Sequence, residues 1–314
     1  MSLRILFFGT SEFAVPSLES LVADHQDVIR CITQPDRPQG RGLTPQPSPV
    51  KAAALRLRVP VEEPERLVDA LAEFKRLEPD LGVVVSYGRL IPEGLLRLPR
   101  HAILGMHPSS LPKYRGASPI AWAILHGEQA TGVTIFRLNE RLDAGDVLLH
   151  RPVEIGPRET AAELSDRLAR LVAELLIEAV HQIEQGAAAF HPQDERLSTY
   201  APKLSKADGR VDWTVPAVTI DRLVRAAVPW PGAYTEWRGQ SLKLWRTDVN
   251  PQPPAVRGRP GEVVAVSGDG VVVAAGEGSV AIQEVQPPGR RRMTVREFLS
   301  GHPVRVGETF GEKK

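Results

Sequence analysis

The sequence predicts an α/β protein in two parts, an open and mostly parallel sheet followed by a small β-barrel or sandwich. Three observations predict it. Short apolar runs alternate with helix-like stretches over the first half of the 314 residues. After Val211 the chain turns to short strand-like runs punctuated by Pro and Gly. Between the two patterns, residues 190–208 are polar and read as a linker, so the expected parts are 1–189, 190–208 and 209–314.

In chain order, Leu3–Phe8 is a continuous apolar run ending at Gly9, as a strand buried on both faces requires. Ser11 is placed to cap a helix through Phe13, Val15, Leu18, Leu21 and Val22. Val28–Thr33 forms a second strand, Leu67–Leu77 a helix, and Leu81–Ser86 and Ala102–Met106 two further buried strands. A proline-rich insertion, Gln34–Val50, has the composition of a surface loop. A helix covers Pro119–Leu125. Thr131–Leu138 and Asp146–Val153 are expected to pair antiparallel because their connection is short. Glu159–Gln185 is a long amphipathic helix with Leu164, Leu168, Leu171, Leu175, Ala179 and Ile183 on one stripe. In the last part, Leu242–Arg246, Gly261–Val266, Gly270–Ala274 and Ser279–Gln286 are strands. Trp213, Trp230, Trp237 and Trp245 are assigned to its core.

Composition narrows the function classes. One cysteine, Cys31, excludes a disulfide framework and a thiolate metal cluster. No apolar run is long enough for a membrane helix, and the opening run is too short for a signal peptide, so a soluble cytoplasmic protein is expected, with no membrane partner. The formal net charge is only +1, yet it is unevenly spread. Residues 1–202 carry 22 basic and 26 acidic side chains, whereas residues 203–314 carry 17 and 12. A basic C-terminal module suits a polyanionic partner.

Neither a GxGxxG after the first strand nor a P-loop, an HExxH or a Cys/His cluster of metal spacing is present, and no metal is expected. The informative segment is Gly105-Met106-His107-Pro108-Ser109-Ser110-Leu111-Pro112-Lys113-Tyr114-Arg115-Gly116. His107 follows an apolar strand, where open α/β sheets place their ligands. Gly105 and His107 are two apart and share a strand face. Leu142-Asp143-Ala144-Gly145-Asp146 offers carboxylates on a tight turn. An Asp beside a His fixes its tautomer and favours the imidazolium, which suits general acid–base work near neutral pH.

Six segments in order resemble the methionyl-tRNA formyltransferase family. They are Arg4–Ala14, Gln34–Gly42 with Pro47–Lys51, the Ser109–Ile120 segment with Thr131–Ile135 and Leu142–Asp146, Tyr200–Lys206, Arg210–Trp213 and Pro229–Ala233. The resemblance implies a Rossmann-like formyltransferase domain followed by a small OB-like C-terminal barrel that helps to hold tRNA. It implies 10-formyltetrahydrofolate as the formyl donor and initiator Met-tRNA as the acceptor. The family's catalytic His and Asp map onto His107 and Asp143, with Asp146 the nearby alternative. Its catalytic Asn maps onto Gly105, which has no side-chain donor, and losing one oxyanion donor can cost roughly 10²–10³ in turnover. Restoring the amide by Gly105→Asn is therefore expected to raise turnover.

By the same resemblance, Ser109, Ser110, Leu111 and Pro112 lie against the folate, and Tyr87 and Gly88 shape that pocket. Arg41 and Lys206 are the candidates for tRNA contact. Lys203, Arg210, Arg222, Arg225 and Arg290–Arg292 could neutralise phosphates. Pro108 and Ser110 also depart from the family pattern, toward that of 10-formyltetrahydrofolate hydrolases. That hydrolase activity, an aminosugar N-formyltransferase and a catalytically weakened RNA-binding paralogue are the competing readings. Nothing in the sequence calls for an obligate oligomer, and a monomer is expected.

Overall fold

A computed structural model describes residues 2–39, 44–250, 258–268 and 270–311. Its elements up to the end of the long helix are β1 (Arg4–Gly9), α1 (Val15–Ala23), β2 (Asp27–Ile32), β3 (Arg37–Gln39), β4 (Thr44–Gln46), α2 (Pro49–Leu57), β5 (Val61–Glu62), α3 (Leu71–Arg76), β6 (Leu81–Val85), α4 (Glu93–Leu96), β7 (Ala102–His107), β8 (Arg115–Gly116), α5 (Pro119–His126), β9 (Ala130–Arg137), β10 (Val147–Glu154) and α6 (Ala161–Glu184). The rest comprises β11 (Tyr200–Ala201), α7 (Ala217–Ala226), β12 (Ala233–Trp237), β13 (Gln240–Asn250), β14 (Val263–Ser267), β15 (Gly270–Ala274), β16 (Ser279–Gln286), β17 (Met293–Thr294) and α8 (Val295–Gly301).

Two compact units divide the chain. The first comprises residues 1–119, 130–154 and 165–201, and the second 120–129, 155–164 and 202–314. Residues 190–201, at the front of the expected linker, fall inside the first unit, where β11 pairs parallel with β8.

The first unit is built on a seven-stranded sheet in the order β10-β9-β7-β6-β1-β2-β5. Strands β5, β2, β1, β6 and β7 run parallel, and β9 and β10 add an antiparallel edge at β7. The chain leaves β1 outward through β2 and β5, then returns to place β6 on the other side of β1. That reversal is a topological switch point, and ligands in such sheets bind beyond the carboxyl ends of the strands there. Every residue of β7 is buried, as a strand covered on both faces demands.

Local chemistry corrects three expectations here. Ser11 makes no side-chain cap; its hydroxyl donates to Ser86 Oγ at 2.7 Å, and α1 starts only at Val15, with Pro16 in its first turn. Proline suits that position because the first N–H groups of a helix have no intrahelical acceptor. The helix expected over 67–77 splits into a 3-10 turn, Leu67–Ala70, and α3. On α6, Leu171 is only half-buried, and Val172, Leu176 and Val180 complete the apolar stripe.

The second unit carries a six-stranded antiparallel sheet, in the order β12-β13-β16-β15-β14 with β17 on β16. Its core gathers Val224, Ala233, Leu244, Val263, Val273 and Val280 with Trp213, Trp237, Phe298 and Phe310. Trp213 and Trp237 are core residues as expected, whereas Trp230 is 54% exposed. It stands in the turn before β12, outside any strand that could direct it inward. Trp245 is half-buried and lies beneath Arg292, whose guanidinium carbon is 5.1 Å from the ring centroid.

Candidate active site

The carboxyl ends of β1, β6 and β7 converge. Thr10, just past β1, donates its hydroxyl to the carbonyl of Tyr87, just past β6, at 3.0 Å, and Gln34 Nε2 donates to the same carbonyl at 2.7 Å. His107 ends β7 with 6% of its surface exposed. Its Nε2 lies 2.7 Å from the carbonyl oxygen of Tyr114. A carbonyl only accepts, so Nε2 carries a proton and Nδ1 is the nitrogen left for chemistry. Nδ1 faces Asp143 Oδ2 at 3.7 Å. That is ion-pair range rather than a direct hydrogen bond, and catalytic hydrogen bonds commonly tighten only in the substrate complex.

Two backbone features hold this pair. Tyr114 adopts a left-handed conformation at φ 61°, which brings its carbonyl under the imidazole, and Asp143 adopts φ 48° on its turn. Asp tolerates that region better than most residues. The Asp143 carboxylate also accepts the Gly116 N–H at 2.8 Å.

The loop from Ser109 to Lys113 is fastened to the sheet face that carries His107. Residues opposite one another on paired strands share a face, so His107, Thr134 and His150 stand in a row across β7, β9 and β10. Thr134 Oγ1 donates to the Ser109 carbonyl at 2.7 Å and accepts the Leu111 N–H at 3.2 Å. Ser110 Oγ lies 2.9 Å from Nε2 of His150, an exposed residue whose imidazole is held below its ordinary value by partial desolvation. Gly132 permits this approach, since a Cβ there would sit 2.5 Å from Ser110 Oγ and 2.8 Å from His150 Nε2. Ser109 is fully buried, and its hydroxyl donates to the Lys113 carbonyl at 2.6 Å.

Residues 3–180 match the family model "Formyl transferase", and residues 203–303 match "Formyl transferase, C-terminal domain". A methionyl-tRNA formyltransferase of Geobacter sulfurreducens is 44% identical over 99% of this chain and 97% of its own length. That of Alkaliphilus oremlandii is 42% identical over 99% of this chain and all of its own. The chain belongs to the methionyl-tRNA formyltransferase family.

Solved structures share the fold at lower identity. HypX from Aquifex aeolicus in complex with tetrahydrofolic acid superposes with a TM-score of 0.64 at 23% identity, covering all of this chain and 51% of that one. A methionyl-tRNA formyltransferase from Clostridium thermocellum gives 0.55 at 13% identity over 79% of this chain and 94% of its own.

Among formyltransferase positions expected from the sequence, the structure brings His107, Asp143, Gly105 and the 109–112 loop into one unit. Asp146 is exposed, and its backbone carbonyl accepts the Arg137 N–H. The Tyr87 ring packs in the apolar cluster with Leu6, Phe8, Phe74 and Ile103, so its backbone carbonyl is the part hydrogen-bonded at the sheet end. Gly88 follows with φ 78°. Arg41 lies outside the described residues. Lys206 is exposed beside a 3-10 turn of the second unit, as are Lys203 and Arg210. Arg225 is paired with Asp221 at 2.9 Å, Arg291 with Glu297 at 2.6 Å and Arg292 with Glu284, which leaves these three cations less available to phosphate.

Gly105 holds the main departure from expectation. It lies directly opposite Phe136 in the β7–β9 register. A Cβ on residue 105 would stand 2.7 and 2.8 Å from two atoms of the Phe136 ring and 3.3 Å from Leu138 Cγ. The ring therefore occupies the space that a side chain at 105 would need, and Gly105→Asn alone meets a clash.

The sequence reading missed Thr134, Tyr114, His150, Arg115 and Gln193. Thr134, Tyr114 and Arg115 lie within segments already singled out, but only the register and loop path reveal their contacts. Gln193 sits in a stretch with no periodicity to mark it.

Proposed function

We propose that this chain transfers the formyl group of 10-formyltetrahydrofolate to the amino group of methionine on initiator Met-tRNA. The observation that carries this reading is the His107–Asp143 pair at the carboxyl ends of the central strands, in a chain related end to end to methionyl-tRNA formyltransferases. The folate is a substrate here, and the 109–112 loop beside the pair would contact it. The methionine amine attacks the formyl carbon, and negative charge develops on the formyl oxygen. Nδ1 of His107, steadied by the Asp143 carboxylate, takes the amine proton as the new N–C bond forms. It returns that proton to N10 as the C–N10 bond breaks, so tetrahydrofolate leaves neutral at that nitrogen. With no amide at residue 105, the imidazolium formed on His107 is the group that meets the oxyanion. Lys203 and Lys206 on the basic second unit supply charge for the tRNA backbone.

Hydrolysis of the same donor is the second reading, favoured by the aromatic ring opposite Gly105. Either reaction needs His107. In His107→Ala, turnover is expected to fall at least a thousandfold (~10³, the scale of losing a principal catalytic group), with folate binding by fluorescence titration within a few-fold of the parent. A variant near full activity would remove His107 from the chemistry.

A further inference from the structure

Behind the Asp143 turn lies a polar network that the proposed reaction does not itself use. Arg115 is 1% exposed, although it carries a permanent charge. Its Nη1 and Nη2 donate to the two carboxylate oxygens of Glu195, both at 3.0 Å. This fork-on-carboxylate pairing compensates the buried charge and holds Glu195 below the ordinary carboxyl value, with Arg141 adding to it at 2.8 Å. Arg115 also donates from Nη2 and Nε to Gln193 Oε1, at 2.7 and 3.3 Å. The amide of Gln193 then donates from Nε2 to two carbonyls of the turn, Asp143 at 2.9 Å and Gly145 at 2.8 Å.

Both ends of the Gln193 amide are thus committed, its oxygen to the guanidinium and its nitrogen to the turn. Only an amide can do this: a carboxylate has no donor for the carbonyls, and an apolar side chain has neither group. Asp143 is in the left-handed region and depends on outside contacts to stay there. Gln193 supplies the backbone contact, and the Gly116 N–H supplies the carboxylate contact. The segment that carries Gln193 is also bonded to the other half of the site, where Thr199 Oγ1 accepts the Tyr114 N–H at 2.8 Å, on the residue whose carbonyl sets the His107 tautomer.

We infer that Gln193, anchored by the buried Arg115 guanidinium and its partner Glu195, is a positioning residue that holds the Asp143 carboxylate opposite Nδ1 of His107. Gln193 touches no reacting atom and acts through Asp143. The inference rests on the formyl-transfer reading for the identity of the reaction, not for the geometry.

The test is a double-mutant cycle. Gln193→Glu keeps the size and the acceptor facing Arg115 but sets an oxygen against the two turn carbonyls; Gln193→Leu removes all four hydrogen bonds. Each is combined with Asp143→Asn, and kcat and KM are measured with 10-formyltetrahydrofolate and Met-tRNA, scoring formyl-methionine and formate separately. Circular dichroism and thermal unfolding identify any variant that fails to fold, and Gln193→Glu is the variant expected to fold like the parent. The expected result is a fall in kcat of about tenfold with KM for both substrates within twofold. In the Asp143→Asn background the same substitution costs less than twofold, because positioning a group already lost has no further effect. Equal losses in both backgrounds, or a loss confined to KM, would overturn the inference. If the parent releases only formate, the formyl-transfer reading fails, and the same cycle on formate release still decides the role of Gln193.

Discussion

Two neighbours on one face of β7 set the character of the site, and neither works alone. His107 is bound through Nε2 to a main-chain carbonyl, which leaves a single nitrogen for proton transfer and orients it toward Asp143. Gly105, two residues earlier, is open only in sequence; in space the Phe136 ring covers it, an aromatic residue shielding the cross-strand glycine. An added side chain at 105 overpacks a buried strand, at a cost of about 1–3 kcal/mol. Gly105→Asn alone is therefore expected to lower both the thermal midpoint and turnover. Gly105→Asn with Phe136→Leu should recover stability and exceed the single variant in turnover by roughly tenfold. A single variant faster than the parent would show that the ring yields freely. The His107–Asp143 juxtaposition was legible only through family resemblance, since 36 positions separate the two residues and no local pattern joins them. The Phe136 obstruction was not legible at all, because it depends on strand register.

At the scale of elements, β1, β2, β6, β7, β9 and β10 follow from apolar runs and short connections, and the antiparallel β9–β10 pairing follows from the brevity of its loop. Elements held by side-chain bonds over long separations escaped. The Ser11 cap failed because Ser86 competes for its hydroxyl across 75 positions. The 109–113 loop shows the same dependence, since Thr134 fastens it from β9 by two hydrogen bonds. Thr134→Val keeps the shape and removes both, each worth about 1 kcal/mol. KM for the folate should rise roughly tenfold with kcat little changed, and an unchanged KM would show that this loop does not form the folate contact. Strand β5 carries a different signature. Burial, with the hydrogen bond that protonated Glu62 can donate to Glu73, raises Glu62 to about 7 against the opposing charge of Arg30. The folded chain then holds a proton that the unfolded chain has already lost, so stability is full below the unfolded carboxyl value of 4.5 and declines as pH rises through about 7. Glu62→Gln should raise the thermal midpoint at pH ~8 and leave it nearly unchanged at pH ~4. An equal shift at both pH values would place the effect in packing instead.

At the scale of the molecule, the proposed catalytic pair His107 and Asp143 lies in the first unit, and excess positive charge is concentrated in residues 203–314. That division was legible from composition, because a polyanion-binding surface needs charge whatever its fold. The boundary itself was harder to read. Residues 193–201 have the polarity of a linker, yet they hydrogen-bond to the Arg115 and Asp143 loops of the first unit. Polarity marks solvent exposure in general, and it cannot separate a tether from a strap whose polar groups are bonded inward. Gly105 and the basic second unit pull the functional reading in opposite directions, the first toward hydrolysis and the second toward a tRNA acceptor. The measurement that decides between them is turnover of 10-formyltetrahydrofolate with and without Met-charged initiator tRNA, with formyl-methionine and free formate scored separately. Formyl transfer through His107 and Asp143 predicts formyl-methionyl-tRNA as the main product and little formate when tRNA is absent. Formate released at the same rate with and without tRNA would contradict it.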